Sequence, residues 1–206
     1  MRVIHLVCTA PPEKSGMGNV AAREVALLRA RGIDAHLIAP ESSIETRGTE
    51  RSFIHHLKPR WRFGNAATLP DLDQAIAGAD LIHLHYPFYG TAEPLLWCEH
   101  KAPVVMTFHM DATADGFKGL LFGFHRLFIQ PTLFEGVAKF FVSSFDYARH
   151  SSLRARLVAH PEQDFELMVH PALPPDPGHP DPVDPAFWVV QPSQVREIEE
   201  LGLLQD

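Results

Sequence analysis

The sequence predicts a doubly wound α/β domain, Rossmann-like, with a mainly parallel sheet and helices on both faces. Three observations predict it. Short β-rich runs alternate with helical patterns through residues 1–170, the order that builds parallel sheets through helical crossovers. Several of the runs, such as Pro103-Val-Val-Met-Thr-Phe108, are continuously apolar, as strands buried on both faces must be. The composition, 46% hydrophobic and 21% charged, supplies a core for such a domain.

Each element has its own signal. Arg2 to Cys8 is a β-rich run, and Asn19 to Arg31 carries Val20, Val25, Leu27 and Leu28 at helical spacing and ends at Gly32. Asp34 to Ala39 is a second strand closed by Pro40, and Ser52 to Leu57 a weaker third, with a surface loop between them. Leu72 to Ala79 is a short helix that leads into the strand Asp80-Leu-Ile-His-Leu-His85, whose histidines alternate with aliphatic residues at period two. Thr91 to His100 is helical and residues 103–108 are a strand. Phe117 to Gly136 is a helix interrupted at Pro131, Lys139 to Ser143 a strand, Phe145 to Val158 a helix and Phe165 to Val169 the last strand.

From His170 the composition changes. Residues 170–185 are dominated by proline, which fits an extended linker and neither helix nor strand. Residues 193–201 then carry a helix start. The expected organisation is therefore a domain over 1–170, a linker and short helix over 171–206, and a second domain that the chain lacks.

The bulk charge excludes some partners. A net charge of −7 gives no electrostatic footprint for nucleic acid. Two cysteines, Cys8 and Cys98, make no disulfide framework, and the short N-terminal apolar run lacks a cleavage site and cannot span a bilayer. A cytoplasmic protein is expected. The segment GFKGLLFGFHRLFIQPTLFEG, residues 116–136, has apolar residues that look dense and cations that are few; buried packing is expected there, and peripheral membrane contact is not indicated.

Two features bear on chemistry. Gly16-Met17-Gly18-Asn19-Val20-Ala21 matches a G-x-G-x-x-A dinucleotide pattern, but Thr9 to Ser15 put seven residues between the strand and the first glycine. In that fingerprint the glycine follows the strand directly. What is left is a loop needing glycine for backbone reasons, or one whose amides and helix dipole receive an anionic or sugar ligand. The second feature is the strand-end set His83, His85, His109 and Asp111, which reads either as a zinc site of a hydrolase or as substrate-facing side chains. His83 alone reads as a buried, satisfied histidine. Ser143-Ser144 is a helix-cap signal, and no G-x-S-x-G elbow accompanies it.

Laid out in order, "APPEKSGMGNVAAREVALLRARGIDAHLIAP", "DLIHLHYP", "PVVMTFHMD" and "KFFVSS" resemble the N-terminal domain of retaining glycosyltransferases of the GT-B fold, glycosyltransferase family 4. The resemblance implies transfer of a hexose-type sugar from a nucleotide-sugar donor, with no cofactor and no metal, to a carbohydrate or glycolipid acceptor. It implies that Gly16, Met17 and Gly18 border the donor diphosphate and that His109 meets the transferred sugar as the catalytic residue. Asn19, His85, Tyr86, Asp111 and Ser144 are expected on the acceptor side. His170-Pro171-Ala172-Leu173 stands where the family commonly has an Asn-Gly turn, and the family's C-terminal glutamates and basic diphosphate-binding residues are absent. The isolated chain is expected to be inactive; a stand-alone carbohydrate- or partner-binding domain is the remaining alternative.

Overall fold

A computed structural model describes residues 1–13, 15–41, 52–64, 66–96, 100, 102–142, 150–154 and 165–167. The strands are β1 Arg2–Leu6, β2 Asp34–Pro40, β3 Ile54–Leu57, β4 Trp61–Phe63, β5 Ala66–Thr68, β6 Leu81–Tyr86, β7 Val104–Phe108, β8 Val137–Val142 and β9 Phe165–Leu167. The helices are α1 Gly16–Ala30, α2 Leu72–Ile76, α3 Gly116–Phe124 and α4 Gln130–Glu135, with a 3-10 turn at Glu93–Leu96 and a π-helical segment at His125–Ile129.

Seven strands form one sheet in the order β3-β2-β1-β6-β7-β8-β9, and every neighbouring pair is parallel. The doubly wound α/β expectation holds. The chain moves outward from β1 in one direction through β2 and β3, then in the other through β6 to β9. Because parallel crossovers are right-handed, this reversal puts helices on both faces. It also opens a crevice beyond the carboxyl ends of β1 and β6, the topological switch point at which such sheets bind ligands.

The two faces differ chemically. One carries Leu84, Tyr86, Met106, Phe108 and Phe140, all buried, and α4 covers it: Phe134 meets Phe108 and Phe140 edge-on at 6.1 and 5.3 Å between centroids. The other face carries His5, His83 and His85 beneath α1, whose buried residues are Met17, Gly18, Ala21, Ala22 and Val25. In β1 and β6 the parallel register sets His5 beside His83 and Leu6 beside Leu84.

Several elements depart from the expected bounds. Helix α1 starts at Gly16, three residues early, because Ser15 caps it: Ser15 Oγ accepts from Gly18 N at 3.3 Å. The 91–100 helix is described only as the 3-10 turn at Glu93–Leu96. Pro131 does not interrupt its helix; it sits in the first turn of α4, where the missing N–H costs nothing, and the π segment joins α3 to α4. The hairpin β4–β5 had no expectation, because each strand has only three residues, although the dipeptide Gly64-Asn65 between them is a hairpin signal. It is held over the loop after β6 by Ala67 N donating to Tyr89 O and Thr91 Oγ1 donating to Ala67 O.

The clearest correction concerns 116–129, since in α4 the expected burial holds at Gln130, Leu133 and Phe134. None of the residues of α3 or of the π segment is buried, and Phe117 is 81% exposed. Its inner side alone is anchored, through Phe122 stacked on Tyr89 at 5.3 Å and His125 hydrogen-bonded to Glu93. The linker, the 193–201 helix, Ser143, Ser144 and the 145–158 helix apart from residues 150–154 lie outside the described residues. No helix among the described residues is long and apolar enough to cross a membrane.

Candidate functional site

The switch point holds a linked set of imidazoles. His85, fully buried at the end of β6, places Nε2 3.0 Å from His5 Nδ1 and Nδ1 3.1 Å from His109 Nε2. The three rings form a hydrogen-bonded chain from the middle of β1, under α1, to the half-buried first residue after β7. His109 is fixed from its backbone too, N donating to Tyr86 O at 3.0 Å. His83 branches off: its ring lies 4.6 Å from His85 and its Nε2 is 2.7 Å from Thr107 Oγ1.

Glu24 of α1 closes this set from above. Its Oε2 lies 3.6 Å from His85 Nε2, 3.8 Å from His5 Nδ1 and 4.0 Å from His83 Nδ1. Burial dominates the titration of the group. It pushes the Glu24 carboxyl up to about 7 and drops His5 to about 3, and burial followed by the nearby His5 and His109 holds His83 well below the ordinary histidine value. The histidines His5 and His83 are thus held neutral beneath a carboxyl that titrates near neutrality, and hydrogen bonds between imidazoles rather than strong ion pairs tie the rings together.

His5, Glu24, His83 and His85 offer ligand atoms that all lie within 4.8 Å of one another, and among the described residues this is the group that could hold a metal ion. It is not the set expected from the sequence. His109 stands outside it, and Asp111 is engaged elsewhere: its carboxylate accepts from Ser152 N at 2.8 Å and from Ser152 Oγ. The facing nitrogens of His5 and His85 share a proton at 3.0 Å, so one of the two lone pairs is already used.

The glycine loop divides. Gly16 is exposed, and a Cβ built on it meets nothing within 4 Å. Gly18 is buried, and a Cβ there would lie 2.4 Å from Thr9 O and 3.0 Å from Thr9 C. Its glycine is required by the close approach of α1 to the loop after β1, and its amide is spent on Ser15. The Gly18 amide is therefore not free for the donor diphosphate that Gly16, Met17 and Gly18 were expected to border. The Met17 side chain is buried, with Cys8 Sγ 3.9 Å from its Sδ. Asn19 is exposed on the first turn of α1. His85 and Tyr86 do not line an open surface: Tyr86 is buried and stacked on Phe108 at 5.7 Å. Ser144 lies outside the described residues. Three residues at the site had been passed over: His5, Glu24, and Arg62 of β4, which clamps the β1–α1 loop through Glu13 at 2.8 and 3.0 Å.

A family model described as a glycosyl transferase 4-like domain matches residues 15–162, most of the chain and all of the crevice after α1 begins. The chain belongs to this family. Membership supports the resemblance drawn from the motifs. Among solved structures, an alpha-glucosyltransferase in complex with UDP and a 13-mer DNA containing a central A:G mismatch is similar at 12% identity, with a TM-score of 0.46 over 71% of this chain and 38% of that one. This glycosyl transferase 4-like chain therefore spans well under half the length of that structure. No curated protein matches the chain.

Proposed function

We propose that this glycosyl transferase 4-like domain is the acceptor-side half of a retaining glycosyltransferase, and that His109 is its catalytic residue toward the transferred sugar. The observation that carries the site assignment is the hydrogen-bonded chain His5–His85–His109 ending at the switch-point crevice. Buried His5 Nε2 has no hydrogen-bond partner, and a bare acceptor there costs less than a bare N–H. His5 then carries its proton on Nδ1 and donates to His85 Nε2, and His85 Nδ1–H donates to His109 Nε2. His109 is left with its proton on Nδ1, as a fixed neutral donor for a hydroxyl of the sugar. A neutral donor suits a reaction in which charge develops on a departing diphosphate and the histidine's task is orientation.

The donor's diphosphate approaches the N-terminus of α1, where exposed Gly16 leaves room and the first-turn amides and dipole favour an anion. Base recognition and the cations that neutralise the diphosphate belong to a second domain outside this chain. In the reaction the bond from the anomeric carbon to the diphosphate oxygen breaks, the acceptor oxygen bonds to that carbon on the same face, and its proton passes to the departing diphosphate oxygen, so that a nucleoside diphosphate leaves.

The test is incubation of a protein that joins this domain to a donor-binding domain with a panel of radiolabelled nucleotide sugars, reading label on added acceptors and the anomeric configuration of the product. Label transferred with retention supports the reading. Nucleotide-sugar binding without any transfer or hydrolysis by a protein that carries both domains would overturn it.

A further inference from the structure

We propose that the cavity between β1, β2, β3 and α2 binds a small amphipathic oxyanion, a carboxylate or phosphate head on a compact apolar body. The cavity measures about 220 Å³. It lies across the sheet from the imidazole chain, because strand alternation turns Ile4 and its register partner His36 away from the face on which His5 meets α1. Its floor is apolar, with Ile38 and Leu57, and its polar groups are Arg2, His36, His55 and Gln74. None of its lining residues is acidic. An apolar wall with a few convergent polar groups is the usual build of a small-molecule site.

Hydrogen bonding and charge select the ligand. The Arg2 guanidinium donates once, from Nη1 to Ala77 O at 3.1 Å, and its buried Nε–H has no partner. No carboxylate among the described residues pairs with it: Asp80 accepts from the backbone N of Arg2 at 2.6 Å and faces the chain terminus. A planar, permanently charged fork with donors still open receives a carboxylate or a phosphate. The imidazoles add a second contact. Asp34 accepts from His36 Nε2 at 2.9 Å, so His36 Nδ1 is a bare acceptor and takes the Nε2–H of His55 at 2.9 Å. His55 Nδ1 is then the open end of the chain Asp34–His36–His55. Burial, followed by the nearby His36, Arg2, His56 and Arg29, holds His55 below the ordinary histidine value. Those four neighbours are all basic, in a chain whose net charge is −7, and the Asp34 carboxylate is already taken by His36 and, at 3.8 Å, by Arg29. An anion in the cavity offsets this positive potential, draws a proton onto His55 Nδ1 and accepts it in a hydrogen bond. The floor asks for more than a bare ion, since a short alkyl chain beneath the head covers Ile38 and Leu57 and inorganic phosphate leaves them wet.

The inference stands on this cavity alone and does not depend on sugar transfer. Its test is titration of the full chain, at fixed ionic strength, with butyrate, butyl phosphate and inorganic phosphate, read by calorimetry and by the imidazole signals in carbon–proton NMR spectra. The expected result is saturable movement of the His36 and His55 signals, with His55 shifting toward its protonated position. Butyrate or butyl phosphate should bind more tightly than inorganic phosphate, and the tighter of the two identifies the head. Arg2→Gln should weaken that binding by roughly tenfold or more, and His55→Ala by about threefold. Thermal melts accompany both variants, and because His55 is exposed, its variant keeps the test decisive if the loss of the Ala77 contact unfolds Arg2→Gln. No saturable shift with any of the three anions, shifts at His109 in place of His36 and His55, tighter binding of inorganic phosphate than of either butyl anion, or parent-like binding by His55→Ala and a folded Arg2→Gln would each overturn the proposal.

Discussion

Replacing Gly18 by Ala separates a structural glycine from a ligand-facing one. The new Cβ would stand 2.4 Å from Thr9 O where ordinary contact begins at 3.4 Å, so the start of α1 and the loop after β1 must part by about 1 Å. Both neighbours are backbone and neither can rotate away. Overpacking of this kind costs about 1–3 kcal/mol, and displacing the Ser15 cap adds about 1 kcal/mol. For a chain of this size the sum lowers the melting temperature by roughly 5–15 °C. Gly16→Ala is the control: nothing lies within 4 Å of its added carbon, and the gain in helix propensity is at most about 1 kcal/mol. Thermal unfolding followed by circular dichroism should show the first variant destabilised and the second level with the parent or slightly above. Equal melts for the two variants would refute the close-approach reading of Gly18.

Stability should fall on the acid side in two stages. His5 and His83 are depressed, so each contributes stability that is full above the ordinary histidine value of 6.5 and is lost as pH falls. Glu24 is raised from 4.5 to about 7, so it acts in the opposite sense between those values. The net loss is therefore on the order of 1 kcal/mol per pH unit just below 6.5, roughly doubling below 4.5 where Glu24 no longer opposes it. Denaturant melts across this range check it, and a single unbroken slope would contradict the assigned protonation states. Added zinc or EDTA should leave the melting temperature unchanged; one zinc bound per chain with a raised melting temperature would turn His5, Glu24, His83 and His85 from a packed buried cluster into a ligand set.

The fold was legible because its signals are local. The apolar strands, the Pro and Gly punctuation and the strand–helix alternation each follow from burial and backbone chemistry, and the parallel sheet follows from their order. The site was legible only in part. His109 stands after a strand end, where topology alone exposes it. His5 and Glu24 needed a third dimension: His5 matters because register sets it beside His83, although Glu24 could have been noticed as an acid on the Ala21–Val25 stripe of α1. Tyr86 was misplaced because strand alternation sends it to the aromatic face, away from His85. Asp111 was misplaced because its partner, Ser152, is 41 residues distant in sequence. The exposure of 116–129 could have been read from the stripe itself, since a strip of apolar residues opposite Lys118 and Arg126 is a helix with two different faces; the density of the segment hid its period.

The most direct measurement compares His109→Ala with its parent, both in an enzyme that carries this domain together with a donor-binding domain, in initial rates at saturating donor and acceptor, alongside thermal melting. His109 is only half-buried and ends the imidazole chain, so its removal should change the melting temperature by no more than a few degrees while kcat falls by about a hundredfold or more, the loss expected for one oriented donor at a reacting centre. A His109→Ala protein that turns over at the parent rate, or one that loses activity only in proportion to a collapse in melting temperature, would contradict the assignment of His109 to the transferred sugar.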